Sequence, residues 1–534
     1  MRLILLSVIL TLPYLLHAQV ESSDDFSFEV SKPYQVIDGK RKVYFYKENK
    51  ILSVKVIAED VFIQKINSTE PALIKTNKEK LPENSVVESI IELNKKYYFF
   101  YSLWDKPNKN EQLFYKEINF ETGKFEAITT KLITVNHHLS RIPIDNIVGF
   151  WGHGISHKFY FKISDDNSKL LVQYRYLREK RIDAINYDIT GIYVFNQYIK
   201  PLWNREVKMQ YTEKQMNFHD HAIDPKGNVY ILATVYENNK NHRKEIPELE
   251  IFKYQTNSDT MFNLSGMDAG DKLITSIKFS ETTENQISFS GFYSEDPVQF
   301  QAHGLFILDM DQNGKSRNTS LFEFPNKFFE KTVDIKNDET DLYYNEPPRP
   351  ELIDYKIVKT IKNNDESLTI ISEQQYIETI TTYSKTGRHE NYIYNYNDII
   401  VTKIDPEGKT TWMKKISKEQ FGSKGKGTMS FKNFFNNGFY YIIFFDTPDN
   451  LDEPLNAEPY TYQDKKEAVL FAYKISELTG EIKKIPVLKT SSIKGMTLKQ
   501  FYTDRLIILD DNEIILEAYK KKKEDVLIKV TFMN

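Results

Sequence analysis

The chain has 534 residues, 40% of them hydrophobic and 14% aromatic, with a formal net charge of −4. It has no cysteine, which excludes disulfides, thiol catalysis and Cys-ligated zinc. The charge balance gives no basic nucleic-acid face, and the length suits one large or two medium domains.

The elements follow in chain order. Arg2, the apolar run 3–16 and Leu16-His17-Ala18 read as a secretory signal over 1–18, leaving a mature chain from Gln19. Position 19 is Gln, not the Cys of a lipoprotein anchor, and no later stretch has the roughly 18 apolar residues of a membrane helix. The expected destination is the periplasm, the cell surface or the outside of the cell. Next comes a spare strand, around 26–30 or 34–37. From residue 43 a pattern then recurs eight times: an apolar β-branched strand, a tight polar turn, and another strand.

The reference positions of the eight units are Ile66, Ile118, Phe195, Tyr254, Leu308, Ile404, Ile475 and Val530. Turns such as Asp405-Pro406-Glu407-Gly408 follow them, where glycine supplies the positive φ. Trp203 and Trp412 share one offset from their reference positions. Upstream of each position lie two further strands, for example 217–223 and 229–236, 273–280 and 287–293, or 429–434 and 439–445. The last unit ends after three strands (505–509, 514–519 and 526–532).

The predicted fold is all-β: a β-propeller of four-stranded antiparallel blades, closed by the N-terminal strand. Eight units imply eight blades, or seven if the first unit (43–75) forms only in part. Two packed β-domains are the rival architecture. Residues 19–534 form a single domain in this reading, with no transmembrane span and a monomeric state. The long segments are second-to-third-strand loops and unit-to-unit connections. Both kinds lie on one face of such a ring, so function is expected there.

Candidate residues also follow the chain. His137, His138, Trp151, His153 and His157 crowd one connection without metal-ligand spacing. His219 and His221, two apart on a strand, share a face in this reading and can point into the central channel. The turn 309–314 resembles half an EF-hand loop, but Ser320 stands where the closing Glu is required. The excursion 376–397 carries Tyr383, Arg388, His389, Tyr392 and Tyr394, an aromatic ribbon suited to stacking on sugars or clamping a peptide. Asp446, Asp449 and Asp452 in the loop 446–463 are carboxylates of the kind Ca²⁺ takes, in no defined calcium spacing. The run 520–523 reads as a solvated turn, and no nucleotide, hydrolase or zincin motif occurs.

Over 367–420, Glu373-Gln374, then Asp405, Gly408 and Trp412, then Lys418 and Gln420, resemble a set of uncharacterised, secreted, bacterial β-propeller-like proteins. The resemblance implies an exported propeller and carries no activity. Glu373, Gln374 and Gln420, polar and near strand ends, are binding candidates on it.

The expected function is therefore a non-catalytic binding or scaffold module of the cell envelope, holding a peptide, a glycan or an envelope protein. No cofactor is expected beyond a Ca²⁺ site. The alternatives are a propeller enzyme acting on polysaccharide or peptide, and a purely structural envelope protein. An enzyme of the first kind needs two carboxyl groups about 5–10 Å apart across an open cleft.

Overall fold

The computed structural model describes residues 25–39, 41–141, 157–178, 186–236, 248–256, 258–263, 272–295, 301–325, 352–384, 387–423, 425–464, 466–489, 498–500, 502–509, 512–520 and 523–533. The signal segment 1–18, Trp151 and His153 lie outside them. Among the described residues there is no α-helix.

Eight antiparallel sheets follow one another along the chain, at 41–80, 86–135, 159–212, 216–263, 273–323, 355–416, 432–489 and 498–532. The first seven are each built from four successive strands, here A to D, and the eighth segment supplies A to C of its own sheet. All eight reference positions fall on C strands, from Ile66 on Asp60–Asn67 to Val530 on Glu524–Phe532. The first unit, the weakest in sequence, forms four full strands.

The B and C strands are buried on both faces, which explains their near-continuous apolar runs. Their two-residue period does not separate core from solvent. It sends alternate side chains to the two neighbouring sheets. Phe99 packs with Val54 and Ile63 of the first sheet, and Phe100 with Leu170 and Val172 of the third. Ile370 faces Leu305 of the fifth sheet, and Ile371 faces Phe444 of the seventh. Such apolar interfaces join each consecutive pair. Another joins the eighth sheet to the first, with Leu527 and Ile515 against Ile51 and Ile66. A strands lie against one another toward the centre: Phe159–Ile163 touches Val86–Leu93 and Met216–Ile223. The fold is a β-propeller.

The chain's two ends meet in the eighth sheet. Phe26–Val30 pairs antiparallel with the C strand there, from Phe26 opposite Phe532 to Val30 opposite Ile528. It takes the fourth-strand place, and Tyr34–Gln35 adds to the same strand. The A–B and C–D turns are short, such as 94–95, 437–438 and 120–123. The longer connections, 136–158, 236–247, 417–431 and 447–468 among them, run between B and C or from D to the next A.

Trp203 and Trp412 do equivalent work between sheets. Trp203 Nε1 donates to the Gly227 carbonyl at 3.0 Å, and Trp412 Nε1 to the Glu477 carbonyl at 2.9 Å. Each indole ties a D strand to a turn of the following sheet.

Candidate functional site

The sixth sheet departs most from its neighbours. Its B and C strands, Leu368–Ser384 and Gly387–Ile404, run past the blade as a two-stranded ribbon. The excursion read at 376–397 is thus strand over 376–384 and 387–397, paired from Gln375 opposite Tyr396 to Ser384 opposite Gly387. Arg388, Glu390 and Tyr392 share one face. Arg388 Nη2 lies 2.6 Å from Glu390 Oε1, and the Tyr392 hydroxyl donates to Glu390 Oε2 at 2.9 Å. Tyr392 is 45% exposed, and Arg388 and His389 are exposed too. Tyr383 stands opposite Arg388 in the register. Tyr394 is corrected as a ligand contact: with Tyr396 it is buried against Met429 and Ile377, anchoring the ribbon's base.

Glu373, Gln374 and Gln420 are corrected likewise, because protein groups take their polar atoms. Glu373 and Gln420 are fully buried. Glu373 pairs with buried Lys418 at 2.8 Å and accepts from Ser430 Oγ and Gln375 Nε2, each at 2.7 Å. Lys418 also donates to the Tyr396 carbonyl (2.7 Å) and to Gln420 Oε1 (3.2 Å). Gln420 Nε2 donates to the Phe445 carbonyl of the seventh sheet at 2.6 Å. Gln374 Nε2 donates to the Ile353 carbonyl at 3.0 Å. A satisfied buried network of this kind holds sheets in register. The residues that carried the resemblance therefore act within the fold.

The carbonyls of the acidic loop bind a cation from the D strand of the same sheet, Ile482–Lys489. Lys484 donates to the Asn450 carbonyl and, at 3.2 Å, to that of Glu453, close to Asp446 and Asp452. Burial pushes the Asp446 carboxyl up to about 6. Asp449 lies in a short 3-10 turn (Pro448–Asn450) capped by Thr447 and accepts from Thr447 Oγ1 at 2.9 Å, and Asp452 is exposed. Among the described residues no group of three His, Asp or Glu side chains is set to hold a metal.

His219 and His221 do not share a face, contrary to the sequence reading. A bulge between Phe218 and Asp220 breaks the two-residue alternation, leaving His219 without a ladder partner among the described residues. His219 Nε2 meets Thr234 Oγ1. His221 packs beside Phe218 and Tyr160, fully buried, and neither ring nitrogen has a hydrogen-bond partner among the described residues. Burial pushes His219 down to about 4, and burial with the Lys162 and Arg175 charges pushes His221 to about 3. A depressed imidazole pKa favours the neutral folded form. Its stability is complete above the ordinary value of about 6.5 and is lost as pH falls toward the folded values. His221→Phe is expected to flatten the pH dependence of the urea midpoint between about pH 6.5 and 4. An unchanged slope would contradict this placement.

Two histidines of the connection 136–158, His137 and His138, pack against aromatic rings. His138 stacks on Trp104 (ring centroids 3.9 Å, interplanar angle 19°), and His137 lies 4.2 Å from Tyr176. Tyr174 and Tyr176 both donate to Glu206 Oε1, at 2.7 and 2.6 Å. His157 lies against the Arg41 guanidinium, and burial with that charge pushes it down to about 4. Sequence reasoning had the histidines and missed Trp104 and Tyr176, which enter from other strands.

It also missed the buried ion cluster where the eighth sheet meets the first. Lys55 bonds Glu517 Oε1 and lies 3.8 Å from Asp525 Oδ2, all three side chains sealed from solvent. The Tyr34 and Tyr44 hydroxyls each donate to Glu517 at 2.6 Å, and Arg505 Nη1 stands 3.7 Å from Asp525 Oδ1. Burial disfavours the Glu517 charge, yet Lys55 and Arg505 hold this carboxyl down at about 2. Burial and the Glu517 charge push Asp525 up to about 6. Two carboxyls with split pKa values resemble an acid–base pair. Both side chains are sealed from solvent, between the eighth sheet and the first. The available signal was one charge inside each apolar run, Lys55 in 51–57 and Glu517 in 514–519.

No family model and no curated protein matches the chain. Among solved structures it is similar to the β-propeller domain of the trilobed protease from Pyrococcus furiosus, at 10% identity over 86% of this chain and 99% of that one, TM-score 0.33. It is similar to an uncharacterized protein of Listeria monocytogenes EGD-e, at 8% identity over 95% of each, TM-score 0.34. It is also similar to the polysaccharide lyase Uly1, at 10% identity over 97% of this chain and 100% of that one, TM-score 0.33.

Proposed function

We propose that the protein is an exported, non-catalytic binding module that holds a partner protein on its long-loop face through the ribbon. The observation that carries this reading is the ribbon itself. It stands beyond the blade, and its end presents Arg388, His389 and Tyr392 to solvent. A two-stranded hairpin in water is marginal alone, and packing against a partner compensates for that. Tyrosine and arginine are the side chains that concentrate binding energy at protein interfaces. The sealed state of the Glu517–Asp525 pair weighs against an enzyme built on it.

A glycan is the second reading, favoured by the Trp104–His138 stack and the nearby Glu206 acceptor, since rings flanked by acceptors suit sugar faces. Capture from the organism's own envelope extract, beside a glycan array, separates the two. The first reading expects Tyr392→Ala to weaken capture by about tenfold or more. Capture lost with Trp104→Ala and kept with Tyr392→Ala would favour the glycan. Export requires the mature chain to begin at Gln19, which intact mass of the secreted protein reads directly.

A further inference from the structure

We propose that the ribbon's B strand pairs edge to edge with the same strand of a second copy, making the protein a two-fold dimer through Ile377–Thr382. This uses the opposite edge from the C strand that carries Arg388 and Tyr392, and it does not depend on the partner reading above.

The B strand is held by its own A-strand side only as far as Gln375, whose amide donates to the Asp354 carbonyl at 3.1 Å. Beyond that, among the described residues, Ile377 to Thr382 pair with the C strand alone. The free edge is therefore a template for another strand. The chain already uses this chemistry at the ribbon's base. Gln420–Gly422 adds to the C strand at Tyr394 and Asn395, and Tyr462–Gln463 adds in turn to Gln420–Gly422.

Exposed edges are normally blunted by Lys, Arg or Pro. Three outer D strands of this protein obey that rule. Ala72–Lys80 carries Lys75 and Lys78, Pro201–Thr212 carries Arg205 and Lys208, and Ile482–Lys489 carries Lys483, Lys484 and Pro486. The segment Ile377-Glu378-Thr379-Ile380-Thr381-Thr382 has no Lys, Arg, Pro or Gly, and Glu378 is its one charge. It is rich in β-formers, and Ile380 is 41% exposed.

Antiparallel pairing with itself is complementary. About a two-fold axis at Ile380, isoleucine faces isoleucine, Thr379 faces Thr381, and Glu378 faces Thr382. β-branched cross-strand pairs of this kind are favourable, and no like charges oppose. The C-strand edge lacks this property, because a two-fold axis at Glu390 sets carboxylate against carboxylate. A symmetric contact between identical patches closes as a dimer.

The absence of native cysteine provides a clean probe. Paired residues of an antiparallel ladder have Cα atoms about 4.5–5.5 Å apart, within disulfide reach. The full-length mature protein should sediment at twice its monomer mass at about 50 µM. Ile380→Cys should form a disulfide-linked dimer on mild oxidation, and Asn391→Cys, on the other strand, should not. Ile380→Lys should sediment as a monomer with an unchanged melting temperature, since the substituted side chain lies outside the blade. A wild-type monomer at that concentration would overturn the proposal. So would a dimer that survives Ile380→Lys, or equal cross-linking of the Asn391→Cys variant.

Discussion

Lys55→Met is expected to lower the unfolding free energy by about 3–5 kcal/mol, read as a drop in the urea midpoint. Lys55 comes from the second strand of the first sheet, and its ammonium is sealed from solvent. It answers Glu517 directly and Asp525 at 3.8 Å, both from the eighth sheet. Removing it leaves two buried carboxylates facing the Arg505 guanidinium and the ammonium of Lys42, from the first strand of the first sheet, which is attracted to both. Desolvation of an unmatched charge is the dominant cost in such a site. Lys55→Met combined with Glu517→Gln should recover much of the loss, because the amide carries no charge and still accepts from Tyr34 or Tyr44. A loss under about 1 kcal/mol for Lys55→Met would mean that the seam does not depend on this cluster.

Deletion of 24–36 is expected to be as damaging, on the order of 5 kcal/mol. It removes the strand that completes the eighth sheet and exposes the C-strand edge from Ile528 to Phe532. Phe26 leaves the apolar interface between the seventh and eighth sheets. Ser31 no longer accepts the Leu527 amide, and Tyr34 no longer reaches Glu517. Differential scanning calorimetry should show a melting transition well below that of the wild type. Added peptide 24–36 should restore part of it by strand addition. An unchanged transition would contradict closure of the ring by this strand.

Much of the architecture was legible because the repeat is written in local chemistry. Tight Asn, Asp and Gly turns mark the strand ends, so the reference positions land on equivalent strands even in the weak first unit. The N-terminal strand was legible by arithmetic, since the last unit lacked one. The candidate residues were less legible, because burial is decided by contacts far apart in the chain. Tyr392 and Tyr394 differ by two residues and share a face, yet Met429 covers only the second. Lys418 and Glu373 look like surface charges in sequence, and they are buried with Ser430 and Gln420 of the connection 417–431, which Phe445 of the seventh sheet ties down through Gln420. The bulge at His219 changes which side chains share a face, and nothing in His219-Asp220-His221 announces it. The seam cluster joins residues more than four hundred positions apart, and a single charge in each of two apolar runs, Lys55 and Glu517, was its trace in the sequence.

The central claim is that the ribbon holds a partner, and its direct test is capture by a ribbonless protein. Residues 379–392 are replaced with an Asn-Gly turn, which closes a two-residue hairpin between the paired residues Glu378 and Ile393. Wild-type and ribbonless protein are immobilised at equal density and exposed to the same envelope extract. The account predicts a saturable partner on the wild type, its loss on the ribbonless protein, and the same melting temperature for both. Equal capture by both proteins would contradict it and place the site elsewhere on the ring.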